Sequence, residues 1–547
     1  MTWDIDRSVR AARDRAASLA PLGTAPFVWI MGLLIAVGIL ARLSPLFDVP
    51  GRLFWQYMTE DGYLMETIAR NMAIGLGMST AEGTIQTNGV QPLATFLFAG
   101  FFWLASGSKP VGIALITVFS AVVAAAAGYV LYRVAAQVLR GIACGRPLAI
   151  GIAALWFASP LLMPISMNGL ETGLYHLVVL CALAYYLAAT GDDAVSFGWR
   201  QRAALGGLLG LTFLARNDAV FFIAALLLVH LLVGGARALG GYASRFVDCL
   251  VAGLISIVIA SPWLIYNYNL FGSIVPISGT AQSHAAALGT NLPRIPAKLF
   301  ETMVPYLPIP NSWEPRIGVA LACGLVILGV LFIYWRLIGT SSVSARRFSL
   351  IGAGFGVGLV TYYGVFFGAE WFLTRYLSVL SLFLWVAATT VAFHIALLVF
   401  RTPTVSRGLL VGLTASMCLL AAAFAGNSWR SGTTHMHKQV VDWVVANVGS
   451  DIWVGAPQTG TLGFFHDRTI NLDGKVNPAA LEVLMHDGHI LNYVADSEID
   501  YIADWIGMAD WDSLGLSPSF ERDFEVVVRD PSLNLAVLKR IRSRSGK

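Results

Sequence analysis

Up to about residue 430, hydrophobic positions come in repeated long runs separated by short polar connections. Windows of about 20 apolar residues, the length a helix needs to cross a bilayer, suggest about eleven spans. They fall near 27–46, 110–138, 148–166, 171–190, 203–215, 218–235, 246–268, 316–335, 349–367, 372–400 and 408–426. The fifth and sixth are short and meet at "ARND", which predicts a broken pair of helices. The run 92–106 is also short for a span and reads as a juxtamembrane helix lying in the interface.

From about residue 434 the pattern changes to that of a soluble fold. "HKQVVDWVVANV" carries a helical period, and "DIWVGA", "RTINLDG", "EIDYIAD", "FEVVVRD" and "NLAVLKRI" read as strands. Helical segments alternate with these strands, so the expectation is a transmembrane part over 1–430 followed by a small α/β domain over 431–547. No long internal repeat is seen.

Composition agrees with this division. The 547 residues are 56% hydrophobic and 12% charged, against about 25% charged in an ordinary soluble chain. The net charge of +4 is too small to suggest a nucleic-acid partner. It is better explained by topology. With 92–106 in the interface, every basic cluster falls on one side: Arg7, Arg10, Arg13 and Arg15, then Arg140/Arg146, Arg200/Arg202, Arg237/Arg245, Arg336/Arg346/Arg347 and Arg401/Arg407. The positive-inside rule puts that side in the cytoplasm. The first apolar run reads as an uncleaved span, and residues 47–109, the loop 269–315 and everything after about 427 face outward. The five cysteines lie in or beside apolar runs without ligand or disulfide spacing and read as small hydrophobes.

Charged residues in such a chain need a reason, because a carboxylate or guanidinium bordering lipid is costly unless solvated or used. Glu60 and Asp61 follow the first span and open a helical stretch. They are either a solvated helix start, where acids suit the helix dipole, or working groups. Glu171 stands in "MNGLETGLYH" at the outer start of the fourth span; Asn168 offers a cap with Glu171 three residues on, the bland alternative. Arg216 and Asp218 interrupt the apolar stretch at "FLARNDAVFF", as an ion pair closing a helix break or as ligands. Arg375 enters an apolar span in "GAEWFLTRYLSV" beside Tyr376 and should either pair, snorkel, or clamp a phosphate with its planar fork. Gly- and Asp-rich turns in "TGTLGFFHDRTINLDGKVNP" are turn chemistry or glycan contacts. His435, His437, His486 and His489 have no strong metal-ligand spacing.

The first loop carries Glu60-Asp61-Gly62-Tyr63, Ile68-Ala69-Arg70-Asn71, Gly75-Leu76-Gly77, Thr87-Asn88-Gly89 and Gln91-Pro92-Leu93 in order. In this it resembles the GT-C superfamily of lipid-dependent glycosyltransferases, with a tilt toward bacterial arabinofuranosyltransferase- and mannosyltransferase-like members. It departs at Glu60, where the family often has Asp, and at Gly62, where a bulkier residue is common. Which of the two acids acts as base therefore stays open.

The resemblance implies a GT-C-like polytopic helical membrane protein with external juxtamembrane helices and an external C-terminal α/β domain. It implies Asp61 or Glu60 as catalytic base with Glu171 as the second acid. Arg375, Tyr376, Arg216, Asp218, Ser278 and His284 are expected near the donor phosphate. Relatives usually carry a basic residue shortly after the position of Ser278; here Gln282 and His284 stand in that region. Asn88, Asp473 and Asn477 are weaker candidates for the acceptor or a glycan.

The expected partners are a polyprenyl-phosphate-linked sugar, a glycan, lipid or protein acceptor, and membrane lipids. No cofactor is required, and a divalent cation is optional. The implied setting is the bacterial cytoplasmic membrane, with the chemistry on its outer face. Two rivals remain: a whole-glycan transferase of the oligosaccharyltransferase or O-antigen-ligase type, and a lipid-linked-sugar flippase or transporter. A transporter should place polar groups at mid-span, often with repeat symmetry, whereas here the acids sit at one mouth.

Overall fold

The computed structural model describes residues 25–49, 51–142, 144–191, 197–233, 239–284, 287–339, 341–368, 370–399, 403–509 and 516–542. Arg7, Arg10, Arg13 and Arg15 lie outside these, as do Arg237, Arg401 and the side chain of His284.

Among the described residues, eight helices are long and apolar enough to cross a membrane: Pro26–Phe47, Lys109–Val138, Thr172–Thr190, Gly241–Phe271, Ile317–Gly339, Val343–Phe366, Glu370–Leu398 and Gly408–Ser431. The chain is a multi-pass membrane protein. Three of the expected spans are shorter helices instead: Gly145–Phe157, Trp199–Ala215 and Val220–Leu232. The first of these stops short because Ser159-Pro160 follows it. The other two are separated where Arg216 adopts an extended conformation (φ −159°, ψ 134°), so the "ARND" break is real. The helix Pro92–Leu104 has 13 residues and, at about 1.5 Å per residue, falls well short of a hydrocarbon core.

The first loop folds as a compact platform. Thr59 caps the helix Glu60–Ala73, its Oγ1 accepting the Gly62 N–H at 3.2 Å, and Glu60 and Asp61 occupy the first turn. A short antiparallel hairpin follows, β1 (Ser79–Thr80) and β2 (Ile85–Gln86).

The C-terminal part forms a five-stranded mixed sheet of β3 (Val454–Ala456), β4 (Thr469–Asn471), β5 (Tyr501–Asp504), β6 (Phe524–Asp530) and β7 (Leu535–Arg540). The order is β4-β3-β5-β7-β6, with β4, β3 and β5 parallel and β7 antiparallel to both its neighbours. Each strand falls inside one of the five segments expected from the sequence, and the helix Lys438–Asn447 falls inside the sixth.

This sheet unit is docked on the first loop. Phe464 and Phe465 pack among Phe54, Trp55 and Tyr63, with Trp55 stacked on Phe465 at 5.0 Å. Ion pairs ring the aromatic contact: Lys109 to Asp467 at 3.0 Å and Arg468 to Glu82 at 2.7 Å.

Candidate active site

Gly62 is the residue that lets the first two acidic segments meet. A Cβ there would stand 2.1 Å from the carbonyl oxygen of Asn168, so only glycine allows this approach. The same Asn168 carbonyl accepts the Thr59 N–H at 3.3 Å and the Thr59 hydroxyl at 3.0 Å. The helix start bearing Asp61 is thereby clamped to the turn bearing Glu171. Asn168 does not cap the following helix; its Oδ1 accepts the Leu170 N–H and closes a turn over Gly169 (φ +76°).

The two adjacent acids point to different partners. Asp61 faces a cavity of about 340 Å³, and its Oδ2 accepts from Arg375 Nη1 at 3.0 Å. Glu60 is outside that cavity and is turned to the sheet unit, where it accepts from the N–H groups of Gly460 and Thr461 and from the Thr461 hydroxyl. Burial pushes the Glu60 carboxyl above its usual range, while those three donors oppose the shift. Behind Glu60 lies His437, 3.4 Å from it and 3.8 Å from Asp504, with its ring stacked on Trp505 at 4.1 Å.

On the opposite wall Arg216 makes a dense buried network. It donates to Glu171 Oε1 at 3.0 Å, to both oxygens of Asp218 at 3.1 and 2.7 Å, and to the Tyr363 hydroxyl at 3.0 Å. Tyr363 in turn donates to Asp218 at 2.6 Å. Arg375 reaches the Tyr376 hydroxyl at 3.1 Å, and the Tyr376 ring stacks on Tyr363 at 4.6 Å. Both guanidiniums lie against the Tyr376 ring, Arg216 at 4.8 Å and Arg375 at 4.9 Å. Asp61, Arg375, Tyr376, Arg216, Glu171 and Asp218 thus form one connected cluster. Arg375 Nε is buried without a hydrogen-bond partner among the described residues.

Ser278 lines the same cavity. His284 ends the helix Ile277–His284, and its side chain is outside the described residues.

The three weaker candidates serve the framework. Asn88 is buried, donates to Asn267 at 3.2 Å and accepts the Ile277 N–H at 3.0 Å. Asn477 caps the helix Pro478–Asp487 and donates to the Asn471 carbonyl and the Tyr493 hydroxyl. Asp473 accepts from Lys475, through the backbone N–H at 3.0 Å and through Nζ at 2.9 Å.

Lys475 and Tyr363 are cavity residues that sequence reasoning missed, and Lys475 is the charged one. It stands in a Gly- and Asp-rich segment that reads as an ordinary turn. Its one signal is a charge set between the apolar Leu472 and Val476.

A second recess, apolar and of about 810 Å³, adjoins the first. Gln91 lines one and its neighbours Pro92 and Leu93 line the other, with Phe96, Trp263 and Tyr266. Among the described residues no group of three or more His, Cys, Asp or Glu is placed to hold a metal ion.

No protein-family model matches the chain, and no curated protein matches it by sequence. Solved structures do match by shape. ArnT from Cupriavidus metallidurans, bound to undecaprenyl phosphate, superposes with a TM-score of 0.57 at 13% identity, covering 96% of this chain and 100% of that one. The archaeal oligosaccharyltransferase AglB from Archaeoglobus fulgidus, in complex with an inhibitory peptide and a dolichol-phosphate, superposes with a TM-score of 0.56 at 12% identity, covering 95% and 75%. The same oligosaccharyltransferase in complex with Zn and sulfate gives 0.54 at 14% identity over 92% and 72%.

The chain has the GT-C fold. At these identities the likeness speaks for the architecture, and the cavity's chemistry must be argued from this chain's own residues. Within the GT-C fold the first-loop platform, the N-terminal end of the Glu370–Leu398 helix and the sheet unit converge on Asp61 and Arg375.

Proposed function

We propose that this GT-C-fold protein is an inverting glycosyltransferase that moves a monosaccharide from a polyprenyl-phosphate donor to a hydroxyl of a glycan, lipid or protein acceptor. The setting is the outer face of a bacterial cytoplasmic membrane, with the N-terminus in the cytoplasm and the sheet unit outside. The observation that carries this reading is the pairing of Asp61 with Arg375 in a cavity beside an apolar recess. One group can take a proton, the other can hold a phosphate, and the recess can take a lipid tail. Support also comes from the two neighbours solved with undecaprenyl phosphate and dolichol-phosphate.

The chemistry needs little more. Asp61 accepts the proton of the acceptor hydroxyl as its oxygen attacks the anomeric carbon. The bond from that carbon to the phosphate oxygen breaks on the opposite face, so configuration inverts, and the polyprenyl phosphate leaves with one more negative charge. Arg375, with its Nε free of protein partners, stabilises that charge. A phosphate is a good leaving group and needs no general acid.

Arg216 spends four of its five N–H donors on Glu171, Asp218 and Tyr363 and acts as a positioning residue that fixes Glu171 on the cavity wall. Glu60 anchors the helix start rather than acting as base. A divalent cation would need carboxylates that are free, whereas Asp61 and Glu171 are each held by a guanidinium. The proposed steps therefore use none.

The likeness to AglB favours one alternative, transfer of a whole glycan. Mass spectrometry of surface glycans in a deletion strain separates the two. Loss of a single sugar residue from a defined position supports the proposal; loss of an entire glycan overturns it in favour of the alternative; an unchanged glycan profile overturns both.

A further inference from the structure

We propose that Lys475 is a second phosphate-binding cation of the cavity, delivered by the C-terminal sheet unit, so that the donor's head group is held from both parts of the chain. This rests on the proposed reading of the cavity as a polyprenyl-phosphate site.

The cavity is lined by three cations, and their free valences differ. Arg216 commits four of its five N–H donors to protein acceptors. Arg375 spends one N–H on Asp61 and one on Tyr376 and keeps three, among them the buried Nε–H. A departing phosphate monoester has three terminal oxygens and close to two negative charges, more charge than one guanidinium can neutralise. Lys475 has three donors on its ammonium, and one is engaged with Asp473 at 2.9 Å. Both remaining cations lie against the Phe372 ring, the Arg375 guanidinium 4.8 Å and Lys475 Nζ 5.9 Å from its centroid.

The position of Lys475 is built by its surroundings. Gly474 takes φ +78°, where a side chain is strained, and Asp473 Oδ1 accepts the Lys475 N–H to close the turn. The Lys475 carbonyl oxygen approaches Gly89 so closely that a Cβ there would stand 2.2 Å away. Val476 is buried with Ile68, Met78, Val90 and Trp263, elements of the first loop and of a membrane helix. The segment 473–477 is therefore wedged into the wall of the cavity. Burial works against the ammonium, but Asp473 and Asp61 more than offset it, so the group stays charged.

The test uses the full chain in nanodiscs, with undecaprenyl phosphate and the neutral alcohol undecaprenol as probes. Wild type should prefer the phosphate. Lys475→Met should weaken undecaprenyl phosphate binding about 10–100-fold, the range for losing a hydrogen bond to a charged group. It should leave undecaprenol binding unchanged, and Lys475→Arg should restore most of the phosphate affinity. If Lys475→Met binds the phosphate as wild type does while Arg375→Gln loses it, the proposal falls and the reading of the cavity stands. Equal weakening for both lipids would mark Lys475 as structural and also overturn the proposal. If wild type does not distinguish the phosphate from the alcohol, the cavity reading and the proposal fall together.

Discussion

Asp61 and Arg375, 314 residues apart in the chain, meet at 3.0 Å. One opens the first-loop helix Glu60–Ala73 and the other sits near the start of the apolar helix Glu370–Leu398. In the proposed reading the pair joins a proton acceptor to an anion holder, which is what displacement at a phosphate-bearing carbon requires.

The neighbouring acids should behave differently when amidated. Asp61→Asn keeps the side chain's size and removes the base, so turnover should fall about 10²–10⁴-fold. Glu60→Gln keeps an acceptor oxygen for Thr461 and Gly460 and should lose far less activity, with a lowered melting temperature as its main effect. Steady-state rates and melts of the two variants check this. Near wild-type turnover by Asp61→Asn means that the base lies elsewhere.

Arg216 should matter for integrity before it matters for chemistry. Its side chain and those of Glu171 and Asp218 are all about 95% buried. Arg216→Gln leaves two buried carboxylates uncompensated, a loss of about 3–5 kcal/mol. Donor binding and melting temperature should fall together. Arg375→Gln should lower donor affinity with a smaller thermal effect.

Gly62→Ala should be harmful although the change is one methyl group. Backbone, rather than a flexible side chain, stands 2.1 Å from the new Cβ, so the Asp61 and Glu171 segments must part. Overpacking of this kind costs about 1–3 kcal/mol. The expected result is a lower kcat with nearly unchanged lipid affinity, measured by pairing kinetics with undecaprenyl phosphate binding.

The contact between the first loop and the sheet unit should respond to pH. Burial raises Asp504 to about 8, although Gln458 and Trp505 N–H groups oppose the shift. Burial also lowers His435 and His437 to about 4. A carboxyl whose folded pKa is raised binds its proton more tightly when folded, so its contribution declines as pH climbs from the ordinary carboxylate range to about 8. The histidines act oppositely, costing stability as pH falls from about 6.5 toward 4. Between about pH 7 and 8 the histidines are mostly neutral in both states, so the Asp504 effect stands apart from theirs. Melting temperature should fall across that window in the wild type and change less in Asp504→Asn. Equal slopes would remove Asp504 from the account.

Periodicity alone was enough to place the strands, the helix Lys438–Asn447 and the break at Arg216, because each depends on a local pattern of apolar and polar positions or on a charge interrupting an apolar run. It could not distinguish a full span from a short buried helix. The windows at 148–166, 203–215 and 218–235 have the right composition but form helices of 13, 17 and 13 residues, short of a full span, and length is set by where the chain turns.

Candidate chemistry was legible as a set of residues: Asp61, Glu171, Arg216, Asp218, Arg375 and Tyr376 are charged or aromatic groups at the mouths of apolar segments, and they do meet. The division of labour between Glu60 and Asp61 was not legible. Adjacent residues on a helix point about 100° apart, and which direction faces the cavity depends on Gly460 and Thr461, four hundred residues later. Nor could Lys475 be read as more than a turn residue, since its neighbours in space come from the first loop and two membrane helices. Local sequence determined which elements form and which charges they carry. The approach of Gly62 to Asn168 and the wedge of residues 473–477 against Gly89 decided which charges share a cavity, because both depend on close backbone contacts that exist only once distant segments pack.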